Sequence, residues 1–321
     1  MDATPDLRPT PLESRAAHPP VAHPVPPRAS PAPAPDAIAP AAYAYNRPGL
    51  FYGLATLTSW VLWFGAAYLS HRGDQTPTVQ ALTATLGLAG LAAPAVVAAL
   101  LIGRRPELWA DVRQRLFWRR DTKALYLACA FLLLLVSILA AQAVSLLFGH
   151  GVEQFQLRGG FSFSSGLLPV WTILLLAPLL EELAWHGYGT DALLGRFRLF
   201  TASMTFAVFW TFWHVPLAFI DGYYQSEVVA SGWLYTANFA VSTVPFVLLM
   251  NWLYYRTGRS IAVAVIFHVA AGFVNEAFLT HPDSKVIQTG LLLVVSAFVV
   301  ARNRDLFFGR PRTRAAGGVV G

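Results

Sequence analysis

The chain is short of charge, of lysine and of cysteine, and each shortage excludes something. Of its 321 residues only 12% are Asp, Glu, Lys or Arg, while 55% are apolar. A soluble domain carries roughly 25% charge. A water-facing fold of this composition would expose large apolar areas, which excludes a soluble enzyme. The single cysteine, Cys129, leaves no disulfide framework and no cysteine metal cluster. Lys123 and Lys285 are the only lysines among 23 basic residues. The net charge of +6 is nowhere gathered with interleaved aromatics into a basic patch, so no nucleic-acid partner is expected. Asp2 and Asp6 follow Met1 with no apolar stretch behind them, so a signal peptide is not expected either.

What is present is a series of long apolar runs. Eight of them, near 50–70, 79–102, 124–148, 167–190, 200–220, 232–255, 260–279 and 285–302, approach the 20 or so residues that cross a hydrocarbon core about 30 Å thick. Backbone groups in lipid must be satisfied within their own segment, so the runs are read as helices. The expected fold is all-α: a polytopic membrane protein of about eight transmembrane helices. With the amino terminus in the cytoplasm, 20 of the 23 basic residues fall on the cytoplasmic side. That is the positive-inside pattern, and it places both termini in the cytoplasm of a multi-pass protein of the cell membrane.

Four regions follow. Residues 1–47 form a Pro/Ala-rich segment expected to be a disordered cytoplasmic tail. Residues 48–166 hold the first three spans, with a basic segment at 103–123. There Leu108, Trp109, Val112 and Leu116 repeat at helical spacing, while Arg113, Arg115, Arg119 and Arg120 fall elsewhere, as in a helix lying on an anionic lipid surface. Residues 167–280 carry the candidate site, and 281–321 the last span and a basic tail.

Ionisable residues inside the apolar runs are the informative exceptions, because a charge at a helix centre costs about 2.5–3.5 kcal/mol on insertion scales. Glu181 and Glu182 stand in LLLAPLLEELAWHGYG, His214 in FAVFWTFWHVPLAF and His268 in AVAVIFHVAAGFVNEAF. Helical spacing puts Glu181 on the face of Trp185 and Glu182 on the face of His186. Glu182 can then be braced by His186, which leaves Glu181 free to face a cavity. His268 and Asn275, seven apart, share a face, so an amide could sit two turns from the imidazole. Glu276, near the end of its run, is expected to be solvated.

A carboxylate and an imidazole can together deprotonate a water for attack on an amide, with a second imidazole and an amide stabilising the oxyanion. The same Glu181, His214 and His268 could instead hold Zn²⁺. No HExxH spacing and no local serine-nucleophile motif is present. Both remaining routes, metal-free or zinc-dependent, end in peptide hydrolysis.

The three segments APLLEELAWHGYGTDALLGRF, FWTFWHVPLAF and VAVIFHVAAGFVN resemble those of the intramembrane proteases grouped as type II CAAX prenyl endopeptidases and bacteriocin-processing or abortive-infection proteins. In that pattern a Glu-Glu pair has an Arg five residues after the first Glu, an aromatic (here Trp210) precedes a His by four residues, and a second His is followed by Asn four residues on. The resemblance implies an endopeptidase acting on hydrophobic or lipidated peptides among membrane lipids. Carried over, it implies Glu181 as the water-activating base, His214 as its partner, and His268 as an oxyanion-stabilising or metal-binding group. Two positions depart from the pattern: His186 stands where Arg is usual, and Gly272 where Asn is expected. Asn275, almost one turn beyond Gly272, is the candidate substitute for the missing amide. A degenerate relative that only binds hydrophobic peptides, and a proton-coupled transporter, are the competing classes. A shared site also requires the fourth helix to continue, tilted, through Leu194, because otherwise Glu181 and His214 fall at different depths.

Overall fold

Proline opens four of the helices in the computed structural model. It occupies the first turn of α1 (Pro48–Ser70), α2 (Pro77–Gly103), α3 (Pro106–Arg115) and α11 (Pro282–Arg302). At that position its missing N–H costs nothing and its fixed φ suits the helix. Thr76 and Ser260 cap α2 and α10 (Ile261–Ala277) by accepting the N–H of Val79 and Val263. Between these lie α4 (Ala124–Ser145), α5 (Val170–Ala184), α6 (Thr190–Leu194), α7 (Leu199–Trp213), α8 (Tyr224–Ala230) and α9 (Trp233–Arg256), and the short α12 (Arg304–Phe308) closes the series. The structure describes Met1, residues 44–161 and residues 168–309. All of these but Met1 belong to one unit spanning 33–321. Most of the expected amino-terminal tail and the end of the carboxyl-terminal one lie outside the described residues.

Helices occur at all eight expected places. Six of them, at Pro48–Ser70, Pro77–Gly103, Ala124–Phe148, Leu199–Phe219, Trp233–Arg256 and Pro282–Arg302, are long and apolar enough to cross a membrane, and Ile261–Ala277 is shorter. Their outward faces carry Leu57, Val61, Phe131, Val136, Phe212, Val294 and Phe298, all exposed, as lipid-facing side chains would be. The protein is a polytopic, all-α membrane protein. Burial from lipid yields no hydrophobic gain, so interhelical packing and hydrogen bonds must hold the bundle. Accordingly its centre is an aromatic cluster in which Trp185 packs on Phe51, Phe206, Phe209 and Trp213.

The helix of the fourth apolar run is the unusual one. Helical hydrogen bonding continues from Val170 to Leu194, a rod of about 37 Å, but the five residues Trp185–Gly189 between α5 and α6 form a π-helix. The N–H of Thr190 bonds back to the carbonyl of Trp185. That wide turn leaves the carbonyls of His186 and Gly187 to other donors. Arg115 Nη1 and Tyr254 Oη donate to His186 O at 3.0 and 3.1 Å, and Arg115 Nη2 donates to Gly187 O at 3.3 Å. Single π turns of this kind inside α-helices occur frequently at functional sites. Gly189 is also required here, since a Cβ would lie 2.8 Å from Phe51 Cε1 and Tyr52 Oη on α1.

Two expectations for the basic segment and one for α10 are corrected. Arg115 does not reach toward lipid headgroups: it is 4% exposed and ion-paired to Asp111 and Asp191 at 2.8 and 3.1 Å. Leu108 and Val112 of its apolar face pack inward on the bundle rather than toward lipid, while Trp109 is exposed. The face is rotated because a guanidinium is recruited inward to satisfy the π-helix and a buried aspartate. Glu276 is 4% exposed rather than solvated at the end of its run: it lines the cavity described below and accepts from Asn275 Nδ2 at 3.3 Å. The N–H of Arg158 bonds to Ala277 O and that of Leu279 to Gln156 O, forming a small antiparallel bridge.

Arg259 completes the buried network. It holds Asp111 through both guanidinium ends at 3.0 and 3.1 Å and Asp191 at 2.5 Å. To do so its backbone takes φ 67°, directly after Gly258 at φ 73°. A left-handed non-glycine residue costs roughly 1–2 kcal/mol, which the paired carboxylates offset. Asp191, wholly buried, also accepts from Tyr255 at 2.9 Å, and it lies 3.1 Å from Tyr254 Oη, whose one proton it shares with His186 O.

Candidate active site

α5, α7 and α10 converge on a cavity of about 380 Å³, lined among others by Glu181, Trp210, His214, His268, Phe239 and Phe246. The three expected reactive side chains therefore share one space. Glu182 and His186 lie behind its wall, fully buried. The adjacent glutamates differ as the 100° helical step between them requires.

Glu181 is fixed by two indoles. Trp210 Nε1 and Trp185 Nε1 donate to the same atom, Glu181 Oε2, at 2.8 and 3.3 Å. Oε1 is left as the oxygen available to the cavity. Trp210 also sits between the two histidines, its ring centroid 5.0 Å from that of His214 and 5.4 Å from that of His268. Glu181 is close enough to interact electrostatically with both imidazoles.

His214 follows the last residue of α7, where the helix tightens into the 3₁₀ turn Val215–Phe219. Its Nδ1 lies 2.7 Å from Trp210 O. A carbonyl only accepts, so Nδ1 carries the proton and Nε2 presents a lone pair when the ring is neutral. His268 Nδ1 faces Glu182 Oε1 at 2.7 Å, a charge-assisted bond that directs Nε2 away from the carboxylate. Glu182 Oε2 pairs with His186 Nδ1, and His186 Nε2 reaches Asn251 Oδ1 at 3.0 Å. Asn251 Nδ2 then donates to Ser203 Oγ at 2.8 Å. A continuous chain of bonds thus runs from α7 through α9 and α5 to His268.

The arginine position is filled by an imidazole bonded at both nitrogens, one toward Glu182 and one toward α9. Gly272 lines the cavity, and a Cβ there would meet Leu174 Cδ2 at 3.3 Å, so the space of a longer amide is partly taken by α5. Asn275 also lines the cavity, but its amide donates to Glu276 Oε1 at 3.3 Å rather than toward His268.

The zinc expectation can be tested on donor geometry. Among the described residues, the three-donor set whose ligand atoms converge within 4.8 Å is His150, His281 and Asp283, not Glu181, His214 and His268. The cavity trio is arranged around Trp210, and the Nδ1 bonds of His214 and His268 leave both Nε2 atoms to the cavity.

Asn251, Ser203, Arg115, Asp191 and Arg259 were not singled out from the sequence. Asn251 was findable, because a lone amide in VLLMNWLYY is as anomalous as the glutamates. Arg115 was not, since nothing in its neighbourhood marks one arginine of four as buried.

A helical bundle that buries a carboxylate pair and two imidazoles around one cavity within its membrane-spanning region has the makings of an intramembrane hydrolase. Residues 163–274 match the family described as type II CAAX prenyl endopeptidase Rce1-like. The chain is 36% identical over 270 residues to CAAX prenyl protease 2 of Methanococcus maripaludis, covering 84% of this chain and 98% of that one. The chain belongs to the Rce1-like CAAX prenyl endopeptidase family, and it is a membrane-embedded protease.

Proposed function

We propose that this protein, in the cytoplasmic membrane, hydrolyses a peptide bond near the carboxyl terminus of a prenylated protein, using a water activated by Glu181 and His214 without a metal. The observation that carries the reading is the bonding of Glu181: both indole donors engage Oε2, so Oε1 is an oriented base facing the cavity. Water between Oε1 and His214 Nε2 gives up a proton to this pair, and the resulting hydroxide attacks the scissile carbonyl. The oxyanion is met by His268 Nε2–H, with Glu182 holding the imidazolium as a buried carboxylate holds a triad histidine. The captured proton passes to the leaving nitrogen, and the products are a new carboxylate and an amine. The aromatic and aliphatic cavity walls supply the surface on which a hydrophobic chain would lie.

The test uses the full chain purified in detergent with a farnesylated CAAX-type peptide and its unprenylated counterpart. Cleavage of the farnesylated peptide that survives exhaustive chelation is expected. Chelation that abolishes cleavage, with Zn²⁺ restoring it, would overturn the metal-free mechanism. Equal cleavage of both peptides would overturn the prenyl specificity.

The bracing chain makes a second prediction. Asn251→Leu removes the acceptor on His186 Nε2 and is expected to lower kcat about tenfold or more, since a hydrogen bond to a charged group contributes roughly 1.5–3 kcal/mol. KM should hardly change, because Asn251 does not line the cavity. A change confined to KM would show that the chain does not position the reacting groups.

A further inference from the structure

The convergent donor set away from the catalytic cavity has its own geometry. His150 follows the end of α4, where Gly149 turns the chain at φ 87°, and His281 and Asp283 begin α11. His150 Nε2 and His281 Nδ1 lie 3.3 and 3.5 Å from the same atom, Asp283 Oδ2. Charge-assisted hydrogen bonds close to about 2.7–2.9 Å, and both contacts are longer than that. Around a tetrahedral ion with bonds of about 2.0–2.2 Å, neighbouring ligand atoms stand about 3.3–3.5 Å apart. The two spacings to Asp283 Oδ2 are those of a ligand edge, and the His150 and His281 ligand atoms lie within 4.8 Å of each other.

Three further features agree. The two imidazole rings lie against each other, with centroids 4.2 Å apart and planes tilted by 35°, a closeness that suits neutral rings, the form that ligates metals, and disfavours two cations. Tyr235 Oη donates to the other carboxylate oxygen, Asp283 Oδ1, at 2.9 Å, as outer partners of metal-bound carboxylates do. The underlying segments are already locked together. Gln142 Nε2 donates to Thr280 Oγ1 at 2.8 Å, and Ser284 Oγ donates to Gln154 Oε1 at 2.6 Å. His281 Nδ1 accepts the Asp283 N–H at 3.2 Å, a long cap that the ion would replace.

We propose that His150, His281 and Asp283 form a binding site for a divalent transition metal of the zinc class, with water as the fourth ligand. The ion would staple the loop after α4 to the start of α11, whose Gln288 and Thr289 line the catalytic cavity.

The test is titration of the metal-stripped full chain in detergent with Zn²⁺ and with Co²⁺. Binding of one ion is expected, with the visible absorption of tetrahedral Co²⁺ and a Zn²⁺-dependent rise in Tm. Both signals should persist in Glu181→Gln and disappear in His150→Ala and His281→Asn. Asparagine retains a cap acceptor for Asp283 N–H, so a lost signal in a variant with unchanged metal-free Tm reports a lost ligand. Tyr235→Phe should weaken binding about tenfold. Absence of binding, or binding that survives His150→Ala and is lost in Glu181→Gln, would overturn the site.

Discussion

Glu181→Gln lowers the rate of peptide hydrolysis by about 10²–10⁴, the contribution of a positioned general base, while KM for a prenylated peptide stays within a few fold. Glutamine is close in size, and its amide can still accept from the indoles of Trp210 and Trp185 through one oxygen. What it cannot do is take a proton from water. Single-turnover rates with a farnesylated peptide measure this directly. A glutamine variant as fast as the parent would mean that the base lies elsewhere. Glu182 is the wrong alternative on geometry, because its two oxygens are spent on His186 and His268 behind the cavity wall.

The second large effect falls on stability. Asp191→Leu removes the fully buried one of the two carboxylates that Arg115 and Arg259 share, leaving the buried guanidiniums with Asp111 alone, which is 23% exposed. Removing one partner of a buried ion pair typically costs about 3–5 kcal/mol. Thermal unfolding in detergent should register the loss as a clear fall in Tm. Activity should fall with it, since Arg115 also donates to the freed carbonyls of the π-helix that bears His186. A Tm unchanged by Asp191→Leu would show that water or lipid headgroups already solvate this network.

The residues differ in how far the sequence announced them. Glu181, Glu182, His214 and His268 were legible because charge is scarce in this chain, and a scarce group in an apolar run has few structural uses. Periodicity then separated the two glutamates correctly, one toward the cavity and one toward His186. The helices were legible for the same reason, as lipid leaves the backbone few alternatives. Continuation of the fourth helix through Leu194 followed from depth alone, but its π turn did not. That turn depends on Arg115 and Tyr254, which are 71 and 68 residues away from His186, and local spacing carries no information at that range. Glu276 was misjudged because its own run does not reveal that it lines a cavity enclosed by helices distant in sequence. Gly272 looked like a missing amide. In the fold it is also a position where α5 approaches closely, which a one-dimensional pattern cannot express.

The central claim is that Glu181 and His214 act together on one water. Its most direct test is the double-mutant cycle of Glu181→Gln and His214→Ala, read as single-turnover cleavage of a farnesylated peptide by the full chain in detergent. Groups that act as a unit lose almost everything with the first substitution. The double variant should therefore be no slower than the slower single variant, to within a few fold. Losses that multiply, so that the double variant is slower by the product of the two single effects, would show two independent contributions and contradict the shared-water mechanism.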